Sequence, residues 1–224
     1  MLDALFRAVG YGLCHQLPER SFAAGGYQLP VCARDTGIYI GFALSLLVIA
    51  LLERGRKPLE APRVPWLVLG AAFLGAMAYD GVTSYAGLRS TTNDLRLITG
   101  LLAGYALPLL VVPMLNSQMW RGLSGVRLFE GARGWLWLVS LPIGYAVATW
   151  VLPVTGVLYP VLTTIAIIVT FLAVNLVFVT LIPHFERRAG KLRDAWMQLL
   201  LAGALTVAEL AAAGALRLFV ERLT

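Results

Sequence analysis

Six long apolar runs are the feature of this sequence that most restricts its fold. Each run is close to the roughly 20 residues that an α-helix needs to cross a hydrocarbon core of about 30 Å. Only 13% of all residues are charged, whereas 59% are hydrophobic. Because backbone polar groups in lipid must pair within their own segment, the sequence predicts an all-α, polytopic membrane protein, with residues 1–224 forming a single integral membrane domain. The predicted spans are Gly37–Leu52, Pro65–Val82, Leu95–Leu115, Gly134–Leu152, Val157–Ile182 and Ala195–Val220.

Two segments precede the first span. Apolar side chains recur at helical spacing along residues 2–13, which predicts a short amphipathic helix that lies at the membrane interface. Pro18, the Gly25-Gly26 pair and Pro30 interrupt the next segment, residues 14–36, so it cannot form one long helix. We expect this polar lid, residues 14–36, to cover one end of the bundle. The domain then divides into residues 1–36 and a six-helix bundle over residues 37–220.

The distribution of Lys and Arg predicts the orientation in the membrane. Eleven of the eighteen lie in the links 53–64, 116–133 and 183–194, and the positive-inside rule assigns these links to the cytoplasm. Both termini and the polar lid are then extracytoplasmic in a multi-pass protein of the cell membrane. The net charge of +6 suits contact with anionic lipid head groups, so we expect the bilayer as a partner and no nucleic acid.

The polar lid holds a set of metal-ligating side chains. Cys14, His15, Cys32 and Asp35 could close a tetrahedral zinc shell, and their soft sulfur atoms also suit Cu(I) or another transition metal. Their spacing matches no standard zinc motif. In an oxidising compartment, a Cys14–Cys32 disulfide would instead stabilise the segment by about 3 kcal/mol. A redox-active thiol pair and two packed, unreactive thiols are further alternatives.

A second polar stretch joins the second and third spans. Asp80 lies near the outer end of a run with no other charge, where a carboxylate needs a cationic partner, and Arg89 or Arg96 is the expected one. Thr91-x-x-Asp94 fits a capping box, so Thr91, Asn93 and Asp94 are predicted to start the third helix.

On the predicted topology, the polar lid and this second stretch lie on the same side of the membrane. Their arginines beside carboxylates would suit an anionic group, such as a phosphate or carboxylate on a small molecule or a lipid head group. Alternatively, the same residues could form salt bridges that only cover the end of the helix bundle, without any activity. The candidate catalytic residues are Asp80, Arg20, Arg34, Arg89 and Arg96.

Small residues indicate which spans pack together. Gly37-x-x-x-Gly41 opens the first span and Gly100-x-x-x-Gly104 lies in the third. This spacing lets two helix backbones approach closely. We therefore expect the first and third spans to be neighbours.

Two polar residues lie deep in the last two spans. Asn175 is in the fifth and Glu209 is near the middle of the sixth. An ionisable group is costly there, so Glu209 is protonated, hydrogen-bonded inside the bundle, or lining a wet path. A small-solute or ion transporter would use both residues, whereas a purely structural pair would only link two helices.

Two blocks of uncommon residues carry a resemblance to a known family. The first block is Cys14-His15-Gln16-x-Pro18-x-Arg20-Ser21-Phe22 followed by Pro30-Val31-Cys32-Ala33-Arg34-x-Thr36-Gly37-Ile38-Tyr39-x-Gly41. The second is Asp80-Gly81 with Arg89-Ser90-Thr91-x-Asn93-x-Leu95-Arg96-x-x-x-Gly100. Over about the first half of the chain, these blocks resemble a prokaryotic membrane family, domain of unknown function 2085 (DUF2085). The resemblance brings no activity, and Asp35 stands where the family often has a further Cys, so a metal shell here would take oxygen in place of one thiolate.

Three functional classes follow from these observations. The first is a metal-dependent or thiol-dependent membrane enzyme that acts on an anionic substrate, with zinc or another transition metal as its cofactor. The second is a transporter, and the third is a non-catalytic membrane component whose cysteines form a disulfide.

Overall fold

The computed structural model describes residues 2–121 and 125–223. An antiparallel hairpin of β1 (Ala23–Ala24) and β2 (Tyr27–Gln28) turns at the Gly25-Gly26 pair and is the one named sheet in these residues. Short 3₁₀ or π segments are Pro18–Arg20, Val147–Val151, Pro153–Thr155 and Leu192–Ala195. The α-helices are α1 (Leu2–Tyr11), α2 (Ala33–Leu52), α3 (Val64–Tyr85), α4 (Asn93–Ala106), α5 (Pro108–Met119), α6 (Arg133–Ala146), α7 (Leu158–Thr180) and α8 (Trp196–Glu221).

Within the described residues, six helical segments are long and apolar enough to cross a membrane. The prediction of an all-α polytopic membrane protein is therefore confirmed. Helices α4 and α5 form one span, and α6 continues through the π segment. The segments are Ala33–Leu52, Val64–Tyr85, Asn93–Met119, Arg133–Val151, Leu158–Thr180 and Leu192–Glu221.

The first span begins earlier than its hydropathy predicts. Helix α2 starts at Ala33, after an extended Cys32, and not at Gly37. Arg34 and Asp35 therefore lie in its first turn, where the partial positive charge of the helix N-terminus favours a carboxylate. Both side chains are thus held on a regular helix and not on a loop.

The close pairing of α2 with α4 confirms the prediction from the glycine spacing. A Cβ on Gly100 would lie 2.0 Å from the carbonyl oxygen of Arg34, and a Cβ on Gly37 would lie 2.4 Å from that of Leu97. Real Cβ atoms do not approach so closely, so only glycine allows these backbones to touch. The contact fixes the first turn of α2 beside the first turns of α4.

The two ends of the bundle differ in chemistry. One end, the site face, holds the polar lid, the end of α3 and the start of α4. Helix α1 and the end of α8 lie at the same end, because Arg217 donates to the carbonyl of Tyr11. The other end, the basic face, holds residues 53–63, 120–121, 125–132 and 181–191. Short backbone bridges, Glu60 to Arg127 and Trp120 to Ala189, join these links. Which face is cytoplasmic stays a prediction.

Candidate functional site

Three of the four predicted metal ligands lie together at the site face. One ligand atom from each of Cys14, Cys32 and Asp35 lies within 4.8 Å of the other two. The backbone N–H of Cys32 donates to Cys14 Sγ at 3.2 Å, and Cys32 Sγ lies 3.2 Å from Asp35 Oδ2. Cys32 and Asp35 are adjacent because one caps α2 and the other lies in its first turn. His15 is exposed and lies outside this three-residue group.

The two cysteines are free thiols, so the disulfide alternative is not formed in this structure although the sulfur atoms are near each other. The side-chain hydrogen bond from Cys32 lowers the pKa of Cys14 to about 7, against the opposing effect of burial. The same hydrogen bond, together with burial, raises the pKa of Cys32. Cys14 is therefore the thiol of the pair that ionises first as the pH rises.

Gln16 holds the Cys14 and Cys32 segments together. Its Nε2 donates to the carbonyl oxygens of Arg7 at 3.0 Å and Pro30 at 2.7 Å, while its own carbonyl accepts from Gln28 Nε2 at 2.8 Å. Its backbone has φ 56°, a conformation that non-glycine residues adopt only when their surroundings fix it. No role for Gln16 was predicted from the sequence, although its position directly after the Cys14-His15 pair was a signal for one.

Arg217 supports the same segment from the far end of the chain. Its Nη1 donates to the carbonyl oxygens of Tyr11 at 2.7 Å and Cys14 at 2.6 Å, and its guanidinium lies 4.2 Å from the centroid of the Tyr11 ring. Glu221 accepts from Arg217 Nε at 2.7 Å and from the hydroxyl of Tyr11. The contact of Arg217 with the N-terminal segment could not be predicted from the sequence, because no local pattern marks it.

Asp80 is the centre of a second polar cluster. It is 1% exposed and accepts hydrogen bonds from two arginines, Arg34 (Nε at 3.1 Å) and Arg89. Thr91 and Thr99 donate to the same carboxylate at 2.9 and 3.4 Å. Three helices and the link between α3 and α4 therefore meet at one buried carboxylate.

Two details of the second polar stretch differ from the prediction. Thr92, and not Thr91, caps α4, accepting from the N–H of Leu95 at 3.2 Å, which leaves the Thr91 hydroxyl free to turn toward Asp80. Arg96, one of the two expected partners of Asp80, instead donates to Asn93 Oδ1 at 3.0 Å.

A small cavity joins the two clusters. Its volume is ≈ 30 Å³, which suits a small ion or an anionic group and not a large organic molecule. Among the described residues, Arg20 and Arg96 have no carboxylate within ion-pair distance, so the cavity carries excess positive charge. Its lining comprises Cys14, His15, Leu17, Arg20, Cys32, Arg34, Ser84, Tyr85 and Arg96.

The deep polar pair lies elsewhere. Asn175 Nδ2 donates to Glu209 Oε2 at 2.8 Å and to Thr206 Oγ1 at 3.2 Å. Asn175 is 3% exposed, whereas Glu209 is on the exposed side of α8. The pair joins α7 to α8 and does not line the cavity at the site face.

Comparisons with known proteins agree with this architecture. The model of DUF2085, described as a predicted membrane protein, matches residues 14–110. An uncharacterised protein of Methanocaldococcus jannaschii is 35% identical over 49% of this chain and 67% of its own length, and one of Methanothermobacter thermautotrophicus is 37% identical over 44% and 83%. A Pseudomonas fluorescens protein named as a probable 4-amino-4-deoxy-L-arabinose-phosphoundecaprenol flippase subunit is 34% identical over 35% of this chain and 64% of its own length. No solved structure matches significantly.

Proposed function

This chain belongs to the DUF2085 family of predicted membrane proteins, and from the chemistry of its site face we propose that it is a metal-dependent membrane enzyme acting on an anionic substrate. The observation that carries this proposal is that Cys14 and Cys32, two members of the Cys14, Cys32 and Asp35 group, line the same small cavity as two arginines without a carboxylate partner among the described residues. Each part alone has a structural explanation. Together they provide both a ligand set and a place for the substrate charge.

The three side chains fit a borderline-soft metal ion such as zinc. A tetrahedral ion at ordinary zinc–sulfur and zinc–oxygen distances separates its ligand atoms by roughly 3.3–3.8 Å. The present separations, all within 4.8 Å, need only a small contraction to reach that range. Three protein ligands also leave a fourth coordination position, which is typical of catalytic zinc sites.

The charge balance supports an anionic substrate. Two thiolates and a carboxylate carry three negative charges, one more than a divalent ion neutralises, and the guanidinium groups of Arg20 and Arg96 line the same cavity. Guanidinium groups bind phosphates and carboxylates through paired hydrogen bonds. We assign substrate binding to these two arginines, and to Arg34 the role of holding Asp80.

The metal, when bound, would supply a Lewis acid that polarises an oxygen of the substrate or of a bound water. His15 lines the cavity on its exposed side, and we assign it proton transfer because imidazole is the most common general acid or base in enzymes. Asp80 keeps Arg34 in place but does not line the cavity. Arg89 lies behind Asp80, so its role is to hold that carboxylate.

Elemental analysis of the detergent-purified protein, with a thiol count on the same preparation, tests the metal site. The expected result is about one transition-metal ion per chain, lost in Cys32→Ser and reduced in Asp35→Asn. Asp94→Asn is the matched control, because Asp94 is an exposed carboxylate at the same face, and its metal content should equal that of the wild type. Metal-free protein with two oxidised cysteines would contradict the proposal and support the disulfide alternative.

Binding of inorganic phosphate tests the arginines separately. Phosphate is expected to raise the melting temperature of the wild type but not of an Arg20→Gln, Arg96→Gln double variant. Arg7→Gln is the control, because Arg7 is paired with Asp3 at 2.9 Å and does not line the cavity. An equal phosphate effect in the double variant would remove the assigned anion site.

A transporter is the second candidate, favoured by the similarity to the flippase subunit and by the contact of Asn175 with Glu209. Because Glu209 faces outward from α8, a path that uses it would run along the outside of this chain or between two chains. A transport assay in proteoliposomes separates the two candidates. Glu209→Gln should abolish transport and Cys14→Ser should spare it, whereas the enzyme proposal requires the reverse dependence for activity.

A further inference from the structure

A groove on the side of the bundle begins at the basic face, at the end opposite the candidate site. It lies between the first turns of α3 and α6 and has a volume of ≈ 730 Å³, within the range of small-molecule sites in proteins. Helix α3 packs mainly on α4, and α6 packs mainly on α2, which leaves this space between them. The lining residues used below are Arg63, Trp66, Leu69, Phe129, Trp135 and Leu138.

Packed aromatic rings form the wall of the groove. The Trp66 ring lies 5.3 Å from that of Trp135 and 5.9 Å from that of Phe129, with steep interplanar angles of 74° and 72°. Gly134 makes room for this arrangement, since a Cβ there would lie 2.4 Å from the Trp66 ring. Such edge-to-face contacts stabilise ring positions, so the wall is a built surface and not a chance gap.

We expect the groove to open sideways to the hydrocarbon, because exposed apolar side chains surround it. Trp135 and Leu136 on α6 are 64% and 55% exposed, and Val68 on α3 is 62% exposed. Tryptophan is enriched where protein meets the interface between lipid head groups and acyl chains. A ligand that fills this groove therefore comes from the bilayer.

One cation stands at the mouth of the groove. Arg63 immediately precedes α3, is exposed, and has no ion-pair, side-chain hydrogen-bond or ring partner within residues 2–121 and 125–223. At 1.5 Å per residue, Leu69 lies about 9 Å deeper along α3. The groove thus presents a cation at head-group level and an apolar, aromatic wall below it.

We propose that this groove is a specific site for an anionic glycerophospholipid, with the phosphate on Arg63 and an acyl chain along Trp66 and Trp135. Charge complementarity selects the anionic lipid over a zwitterionic one. This lipid site is separate from the cavity that holds Cys14, so it can be tested independently of the proposed metal-dependent function.

Native mass spectrometry of the detergent-solubilised protein tests the site, with phosphatidylglycerol and phosphatidylcholine of identical acyl chains as the probes. The wild type is expected to retain phosphatidylglycerol about five-fold more strongly than phosphatidylcholine. Arg63→Gln should remove this preference by weakening phosphatidylglycerol retention more than phosphatidylcholine retention, because both lipids carry the phosphate but only phosphatidylglycerol has a net negative charge. Leu69→Trp should fill the groove and weaken the retention of both lipids.

Arg193→Gln is the matched control, because Arg193 is an exposed cation at the same face that does not line the groove. It should keep the wild-type preference. If Arg193→Gln lowers the preference as much as Arg63→Gln, the preference comes from the general positive charge of this face and the proposal is wrong. If Arg63→Gln and Leu69→Trp both bind like the wild type while running as monodisperse protein, the groove holds no lipid and the proposal is also wrong.

Discussion

Replacing Asp80 with Asn is the most direct test of the buried polar cluster. The side chains of Asp80 and Arg34 are 1% and 9% exposed, so the substitution leaves a buried guanidinium without its counter-charge. Removing one partner of a buried ion pair costs about 3–5 kcal/mol. Arg89 is 34% exposed, so solvent screens its pairing and it contributes less than about 1 kcal/mol. The free energy of unfolding should therefore fall by about 3–5 kcal/mol, almost all of it from Arg34.

Thermal unfolding in detergent, followed by tryptophan fluorescence, measures this loss. For a chain of this size, each kcal/mol lowers the melting temperature by about 2–4 °C, so Asp80→Asn should melt about 6–20 °C below the wild type. Arg89→Gln, the control, should lose no more than about 4 °C.

A double variant identifies the cause of the loss. Arg34→Met combined with Asp80→Asn removes both charges and should be more stable than Asp80→Asn alone, because no buried charge is left unpaired. A fall of less than about 2 °C in the single variant, or a double variant that is less stable than the single one, would refute the reasoning.

Three further predictions concern the helix contact, the thiols and the far end of the chain. Gly100→Ala should destabilise the protein by about 1–3 kcal/mol, since its Cβ would lie 2.0 Å from a carbonyl oxygen of α2. Gly75→Ala, which points into open space, should be neutral or slightly stabilising in the same unfolding assay. In metal-free protein, iodoacetamide labelling of Cys14 should rise with pH and be half-maximal near pH 7, because the thiolate is the nucleophile. Cys32 should stay unlabelled, and equal labelling of both peptides by mass spectrometry would contradict the assigned pKa order. Arg217→Gln removes the donor to two carbonyl oxygens and should speed hydrogen exchange in residues 12–16 about ten-fold, so unchanged exchange would argue against that contact.

The membrane-spanning architecture could be predicted from the sequence because the bilayer imposes a length and a polarity on every span. The pairing of α2 with α4 could also be predicted, since the steric consequence of glycine spacing depends on few other residues. The ends of the helices could be predicted less well than their positions in the chain. A hydropathy profile places the start of α2 after Arg34 and Asp35, because charged residues lower the mean hydropathy there. In the structure both residues belong to the helix.

The partners within the site depended on geometry that a linear pattern does not contain. Arg34 is far from Asp80 in the chain, and their contact depends on how α2 is rotated relative to α3. The one-residue difference between Thr91 and Thr92 decides which hydroxyl caps α4 and which reaches Asp80. Periodicity does not resolve such a difference.

The contact between α2 and α4 also determines how a substrate can reach the cavity. Glycines placed against carbonyl oxygens at both Gly37 and Gly100 hold the backbones of these two helices in close contact. The helix pair that carries Arg34 and Arg96 is therefore the most tightly packed wall of the cavity, and we expect an opening motion to come from the segment around Cys14 and His15. That segment is held from outside the helix pair by Arg217, so access to the interior is governed from the last helix of the chain.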